Sequence, residues 1–219
     1  MPAFRDVVVC ALMTVLASPA MAVTLTASFD SFDEGLVGTA VTDGGIVFFD
    51  LDQRFDPPLP GGFSIEATDS LGPPFSPPNL LAPGGYSQGP GLAYGRFGSM
   101  SIAFGAVPGM EASIDVFGSP VPSNMLTLEA LRHGAPVAHD TLLTDGEGTY
   151  WQQSLSVSGV VFDELRLIAS GPQFDGLIFV VFDNARVTLV PEPGTAALLC
   201  IGMLGLAGYR WRRQRCPRP

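Results

Sequence analysis

The 219-residue chain is 47% hydrophobic and, once its targeting segments are set aside, has room for one domain of common size. Its 26 glycines and 20 prolines resist helix interiors and direct the fold to short strands joined by turns. Lysine is absent, and between Val23 and Val190 five arginines stand against 19 acidic residues, a charge of −14 that repels nucleic acid and anionic lipid and leaves metal cations or neutral polymers as partners.

Residues 1–22 read as a signal peptide: Arg5, an apolar run from Val7 to about Ala17, then the small-x-small pattern Ala20-Met21-Ala22. Cleavage after Ala22 leaves Val23 as the new N-terminus and sends the protein out of the cytoplasm. An uncleaved anchor is the competing reading, opposed by the shortness of the apolar run. Cys10, Cys200 and Cys216 all fall outside residues 23–189, so that segment has no disulfide framework, cysteine nucleophile or thiolate metal site.

Period-2 patterning with β-branched and aromatic enrichment predicts strands near Leu25 to Phe29, Ile46 to Leu51, Phe63 to Asp69, Met100 to Phe104, Ala112 to Phe117 and Met125 to Leu131. Three more follow near Tyr150 to Val157, Phe162 to Ala169 and Leu177 to Leu189. Leu126, Leu128 and Ala130 alternate with Thr127 and Glu129, as a half-buried strand requires. Turn sequences separate these runs: TDGG at 42–45, RHGAP at 132–136, TDGEG at 144–148 and SGPQFDG at 170–176. This spacing predicts an all-β sandwich of jelly-roll type with no amphipathic helix. From Phe55 to Gly91 nine prolines surround one strand, and because each proline removes a ladder donor the stretch is expected outside any sheet interior, as surface loops at one end.

The C-terminal residues 190–219 have three parts: a turn at 190–195, an apolar run from Thr195 to Tyr209 and an arginine-rich tail at 210–219. Fifteen helical residues reach about 22 Å at roughly 1.5 Å each, a short span for a hydrocarbon core of about 30 Å. Trp211 and snorkelling arginines help it span, and the basic end stays cytoplasmic. The order Pro191-Glu192-Pro193, short apolar helix, arginine cluster closely resembles the PEP-CTERM sorting signal of bacterial exported proteins. That resemblance implies a substrate of an exosortase, with Pro191, Glu192 and Pro193 as recognition residues, a transient stay in the inner membrane and release to the cell surface or extracellular matrix. It gives the chain no catalytic role. A permanent single-span anchor is the alternative, and it leaves Pro-Glu-Pro unexplained.

The segments FDSFDEGLVGTAVTDGGIVFFDL at 29–51, SPPNLLAPGG at 76–85, SMSIAFG at 99–105 and VVFDNARVTLV at 180–190 resemble a jelly-roll module common among PEP-CTERM proteins and similar to galactose-binding-like and carbohydrate-binding sandwiches. The resemblance implies a non-catalytic binding or structural domain, with exopolysaccharide as a partner and a structural calcium. Asp30, Asp33, Glu34, Asp183 and Asn184 are the calcium candidates, since they lie at the first and last strands, which neighbour each other in many such sandwiches. DSFDEG lacks the alternating carboxylates of an EF-hand loop. Tyr86, Tyr94, Arg96 and Trp151, in or beside glycine-rich sequence, are the candidates for stacking on sugars, with partly buried packing as the plainer role.

Catalysis has weak support. His133 and His139 flank a turn-like GAPVA, and His139-Asp140 could serve as a base with its orienter. Asp50, Asp52 and Asp56 form the densest acidic group, expected at an exposed strand end. An enzyme acting on surface glycans through a carboxylate pair stays open as the alternative, because the pair's separation is set in three dimensions.

Overall fold

The computed structural model describes residues 22–33, 35–54, 62–67, 79–83, 96–118, 124–143, 151–172 and 180–190, together with Gly202 and Gly205. Gln53, Arg54, Glu66, Ala67, Arg96, Trp151 and Gln152 are described by their backbone alone. Thr24–Val190 forms one compact unit. The signal-peptide residues 1–21, the Pro-Glu-Pro turn and the 195–209 helix lie outside the described residues, apart from the two glycines. Among the described residues no helix is long and apolar enough to cross a membrane.

Among the described residues thirteen strands follow in order: β1 (Thr24–Ala27), β2 (Gly35–Gly38), β3 (Val41–Asp43), β4 (Ile46–Arg54), β5 (Phe63–Ala67), β6 (Asn79–Pro83), β7 (Arg96–Ala103), β8 (Gly109–Gly118), β9 (Met125–Arg132), β10 (Ala135–Leu143), β11 (Trp151–Phe162), β12 (Glu164–Ser170) and β13 (Val180–Leu189). They make two antiparallel sheets of a sandwich. One has seven strands in the order β11-β8-β13-β6-β5-β2, with β1 on β13; the other has six, β10-β9-β12-β7-β4-β3. From β6 onward the chain changes sheet at nearly every step, so most pairings join residues far apart in sequence.

All nine expected strands are present. The four that patterning missed are β2, β3, β6 and β10. β6 corrects the expectation for the proline-rich stretch, because it lies inside the seven-stranded sheet between β13 and β5. Its only proline, Pro83, is its last residue, so the donors that the ladder needs are kept.

Two short hairpins show why their turns need special backbone. Gly44 and Gly45 join β3 to β4 with φ of 53° and 83°, and His133 and Gly134 join β9 to β10 with 54° and 77°. Positive φ at both central positions is the type I′ arrangement that matches strand twist. A side chain at Gly44 is further barred because its Cβ would stand 1.7 Å from the Thr26 carbonyl oxygen. The expected RHGAP turn is thus only two residues long, and Pro136 already belongs to β10, an edge strand that tolerates its missing N–H.

The core lies between the sheets. Ala112, Ile114 and Val116 of β8 and Phe182, Ala185 and Val187 of β13 face Ile46 and Phe48 of β4, Met100 and Ile102 of β7, and Leu126, Leu128 and Ala130 of β9. Edge-to-face rings bridge the sheets, Phe97 with Phe182 at 5.5 Å and Phe104 with Phe162 at 5.6 Å. Such pairs add about 1 kcal/mol beyond the area they bury. Two carboxylates tie further elements together. Asp43 Oδ2 accepts the N–H groups of Ser28 and Phe29 at 2.9 and 2.8 Å, holding the buried Phe29 at its φ of 60°. At the opposite margin Asp140 Oδ2 accepts the Ser156 N–H at 2.8 Å, linking edge strand β10 of one sheet to edge strand β11 of the other.

Candidate functional site

The outer face of the six-stranded sheet follows directly from register. Leu128, Leu167 and Met100 point to the core, so their neighbours Glu129, Arg166 and Ser101 stand in one cross-strand row on the other face. His139 continues that row onto β10 and Phe49 onto β4. The next row is Thr141, Thr127, Ile168, Ser99 and Asp52, in which the two threonine hydroxyls are 3.2 Å apart.

Between these rows β4 carries an extra residue. Phe49 pairs with Ser101 and Asp52 with Ser99, which leaves Asp50 and Leu51 facing a single partner residue, and Asp50 takes a φ of 51°. A β-bulge of this kind bends its strand and re-aims a side chain. Asp50, Ser99, Met100, Ser101, Arg166 and Ile168 line a cleft there of about 320 Å³. Asp50 and Arg166 are exposed, Ile168 is half-buried and Ser101 is 7% exposed. The acidic group at 50–56 was expected at a strand end; instead Asp50 and Asp52 lie within β4, which runs on to Arg54, while Asp56 is outside the described residues.

The calcium candidates fall at a second place. β1 does pair with β13, Ala27 opposite Ala185, which brings Asp30 toward Asp183 as the sequence suggested. Asp183 is 3% exposed and directly opposite Asp115 of β8, and the ladder slips one step beyond it where Asn184 adopts a φ of 47°. Its Oδ1 accepts the Asn184 N–H at 2.7 Å and its Oδ2 the Asn184 side-chain amide at 3.2 Å. The same amide reaches Asp115 Oδ2 at 3.3 Å, and the Ser154 hydroxyl bonds Asp115 Oδ1 at 2.5 Å. Burial pushes the Asp183 carboxyl from its ordinary 3.8 up to about 7; the Asn184 N–H opposes this, Asp30 and Asp115 add to it, and Arg186 opposes it. Desolvation and like charges both disfavour an ionised carboxylate. Among the described residues no group of three or more His, Cys, Asp or Glu is placed to hold a metal ion, and Glu34 lies outside them. Calcium takes six to eight oxygens, so the described donors alone do not make up a site for it.

Of the sugar-stacking candidates, Tyr86 and Tyr94 lie outside the described residues. Arg96 opens β7 and Trp151 opens β11, in different sheets. Among the described residues the histidines do not assemble a catalytic group. His133 sits in the β9–β10 turn, where its Nδ1 is 3.1 Å from Asp163 Oδ2. His139 and Asp140 are successive strand residues on opposite faces of β10, and Asp140 is occupied with the Ser156 and Thr141 N–H groups. His139 and Asp52 share a face but are four strand spacings apart, about 19 Å at 4.8 Å each. The cleft itself was missed by the sequence reading, because its residues come from three strands and its only local signal, an extra residue in β4, appears once the pairing is known.

Compared with known families, residues 189–214 match the PEP-CTERM protein-sorting motif. No curated protein matches the chain. Among solved structures it is similar to the K2 cleaved adhesin domain of Lys-gingipain, at 8% identity over 77% of this chain and 99% of that one, with a TM-score of 0.47. The K1 cleaved adhesin domain of Lys-gingipain from Porphyromonas gingivalis W83 is similar at 10% identity, over 77% and 99%, with a TM-score of 0.43. A family 29 carbohydrate binding module complexed with mannohexaose is similar at 11% identity, over 77% and 92%, with a TM-score of 0.35.

Proposed function

We propose that this chain is exported, sorted through its PEP-CTERM motif by an exosortase and delivered to the cell surface or extracellular matrix, where the sandwich acts as a non-catalytic binding or structural module for exopolysaccharide. The carrying observation is the sorting motif at residues 189–214, which starts at Leu189, the last residue of β13, so that tag follows domain without an intervening segment. The domain's charge of −14 favours a neutral polymer over nucleic acid or an anionic surface. Before processing, the 195–209 segment holds the protein in the inner membrane with its bulk outside.

Intact mass of the mature protein from its native host tests this reading. A chain ending near Val190 to Gly194 supports processing, and one that keeps RWRRQRCPRP means a permanent anchor. The alternative of a glycan-active enzyme predicts product from surface polysaccharide, and retention without chemical change counts against it. The opposed faces of His139 and Asp140 speak against those two as a base with its orienter.

A structural calcium at Asp30, Asp33, Glu34, Asp183 and Asn184 is proposed on a narrower observation. Asp30 and Asp115 both make ionised Asp183 less favourable, a repulsion that a cation would relieve. Such a site needs Glu34 or other oxygens besides the described ones. Calcium should then raise the melting temperature relative to EDTA; no binding heat and no shift would remove the proposal.

A further inference from the structure

Three places in the molecule have unspent chemistry: the Asp183–Asp115 pair, the exposed Met125 and Leu143 opposite each other at one end of β9 and β10, and the cleft at the β4 bulge. The first is a set of acids already bonded to Asn184 and Ser154, and nothing in the structure says what would cover the second. The cleft carries more.

We propose that the cleft across β12, β7 and β4 is a binding site for an uncharged, hydroxyl-rich glycan segment, held chiefly by Arg166 and Asp50. This rests on the glycan-binding reading above and gives it a location that no sequence motif indicated. Sugar hydroxyls both donate and accept, and the cleft offers both: Arg166 is a planar fork of donors, Asp50 a pure acceptor, and Ser99 and Ser101 can do either. Among the described residues neither Arg166 nor Asp50 has an ion pair or a side-chain hydrogen bond. Ser101 is 7% exposed on this face, and its hydroxyl likewise has no hydrogen-bond partner among the described residues. A hydroxyl lining the cleft can both donate to and accept from a ligand there.

Ile168 supplies a half-buried apolar wall against which the C–H face of a sugar ring can lie. The charge balance argues for a neutral ligand. Arg166 stands between Glu129 across the β12–β9 ladder and Asp50 across the cleft, and the whole segment is strongly acidic, so a polyanion would meet net repulsion. The bulge that turns Asp50 toward this cleft also keeps it out of the ladder, which makes its exposed carboxylate available rather than structural.

Affinity electrophoresis and calorimetry of the full chain against neutral hexaoses of mannose, glucose and galactose, with polygalacturonate as the acidic counterpart, test the site. At least one neutral glycan should bind, and Arg166→Ala and Asp50→Asn should each weaken it about tenfold or more, the loss expected for a charged hydrogen bond. Asparagine tolerates the positive φ at position 50, so the second variant keeps the fold. His139→Ala, on the same face but three strands from β7, should bind as the parent does. Binding that survives in the Arg166→Ala/Asp50→Asn double variant but is lost in Trp151→Ala overturns this site and leaves the glycan reading standing. Preference for polygalacturonate overturns the ligand class. Failure of the parent chain to retain any glycan overturns both.

Discussion

On the outer face of the seven-stranded sheet, Leu80, Ala82, Phe117 and Val181 form an apolar cluster separate from the main core, each at most 6% exposed, and Asp183 is buried on the same face. On the outer face of the six-stranded sheet, Glu129, Arg166, Ser99 and Asp52 are exposed or half-buried, and the cleft there is lined by Asp50, Ser99, Ser101 and Arg166 together with Met100 and Ile168. Both faces come from the same alternation of residues along antiparallel strands. Alternation decides which residues share a face, and it does not decide whether that face meets water. Among the described residues one outer face holds a buried apolar cluster, and the other is exposed or half-buried and carries the proposed glycan site.

Substitutions should separate the two roles. The largest effect is expected for Phe117→Ala, which empties a site 1% exposed and should lower unfolding free energy by about 3–5 kcal/mol in chemical denaturation. A loss under about 1 kcal/mol would show that this cluster contributes little.

Asp183 should give the domain a pH-dependent stability. Its carboxyl is raised from 3.8 to about 7 by burial, so the native state holds the proton more tightly than the unfolded chain. The contribution is complete below about pH 4 and is lost as pH rises toward 7, amounting to at most about 4 kcal/mol for a shift of three units. Asp183→Asn should flatten that dependence and make the protein more stable than the parent at pH 8. A parent whose denaturation midpoint does not fall between pH 4 and 7 would mean that Asp183 is not desolvated in solution. Bound calcium would reverse the slope, because it requires the ionised form.

Asp140→Ala removes the link between edge strands β10 and β11 and strands the Ser156 N–H at a sheet margin. A loss of about 1–2 kcal/mol is expected, because the exposed amide can turn to water. Hydrogen exchange at Ser156 should accelerate with it. The smallest effect on stability belongs to Arg166→Ala, within about 0.5 kcal/mol, since its side chain is exposed and unpaired among the described residues. A variant that melts with the parent yet loses glycan binding would place the two faces in their two roles; one that unfolds early would assign Arg166 to the fold.

Particular residues explain what the sequence reading reached. Leu126, Leu128 and Ala130 of β9 are buried and Thr127 and Glu129 half-exposed, as their alternation required. β3 and β10 were missed because one is three residues long and the other, Ala135–Leu143, alternates weakly on an edge where most side chains are exposed. β6 was missed because prolines flank it, and a proline forbids pairing only at its own donor. The β1–β13 pairing brings Asp30 toward Asp183, whereas Arg96 and Trp151 open strands of different sheets. The Asp50 cleft depends on a bulge, which is a mismatch between two strands and cannot be read from either one.

The sequence by itself determined the all-β class, through glycine, proline and period-2 patterning, and the sorting motif, because that signal is a contiguous string read in order. It also set the acidic balance of the domain. Only the tertiary structure decided that Asp183 faces Asp115, that Asp140 closes one margin, and that Asp50, Ser101 and Arg166 share an opening. These residues lie on strands separated by tens of positions, and strand order and register, which depend on packing across the whole sandwich, set their distances.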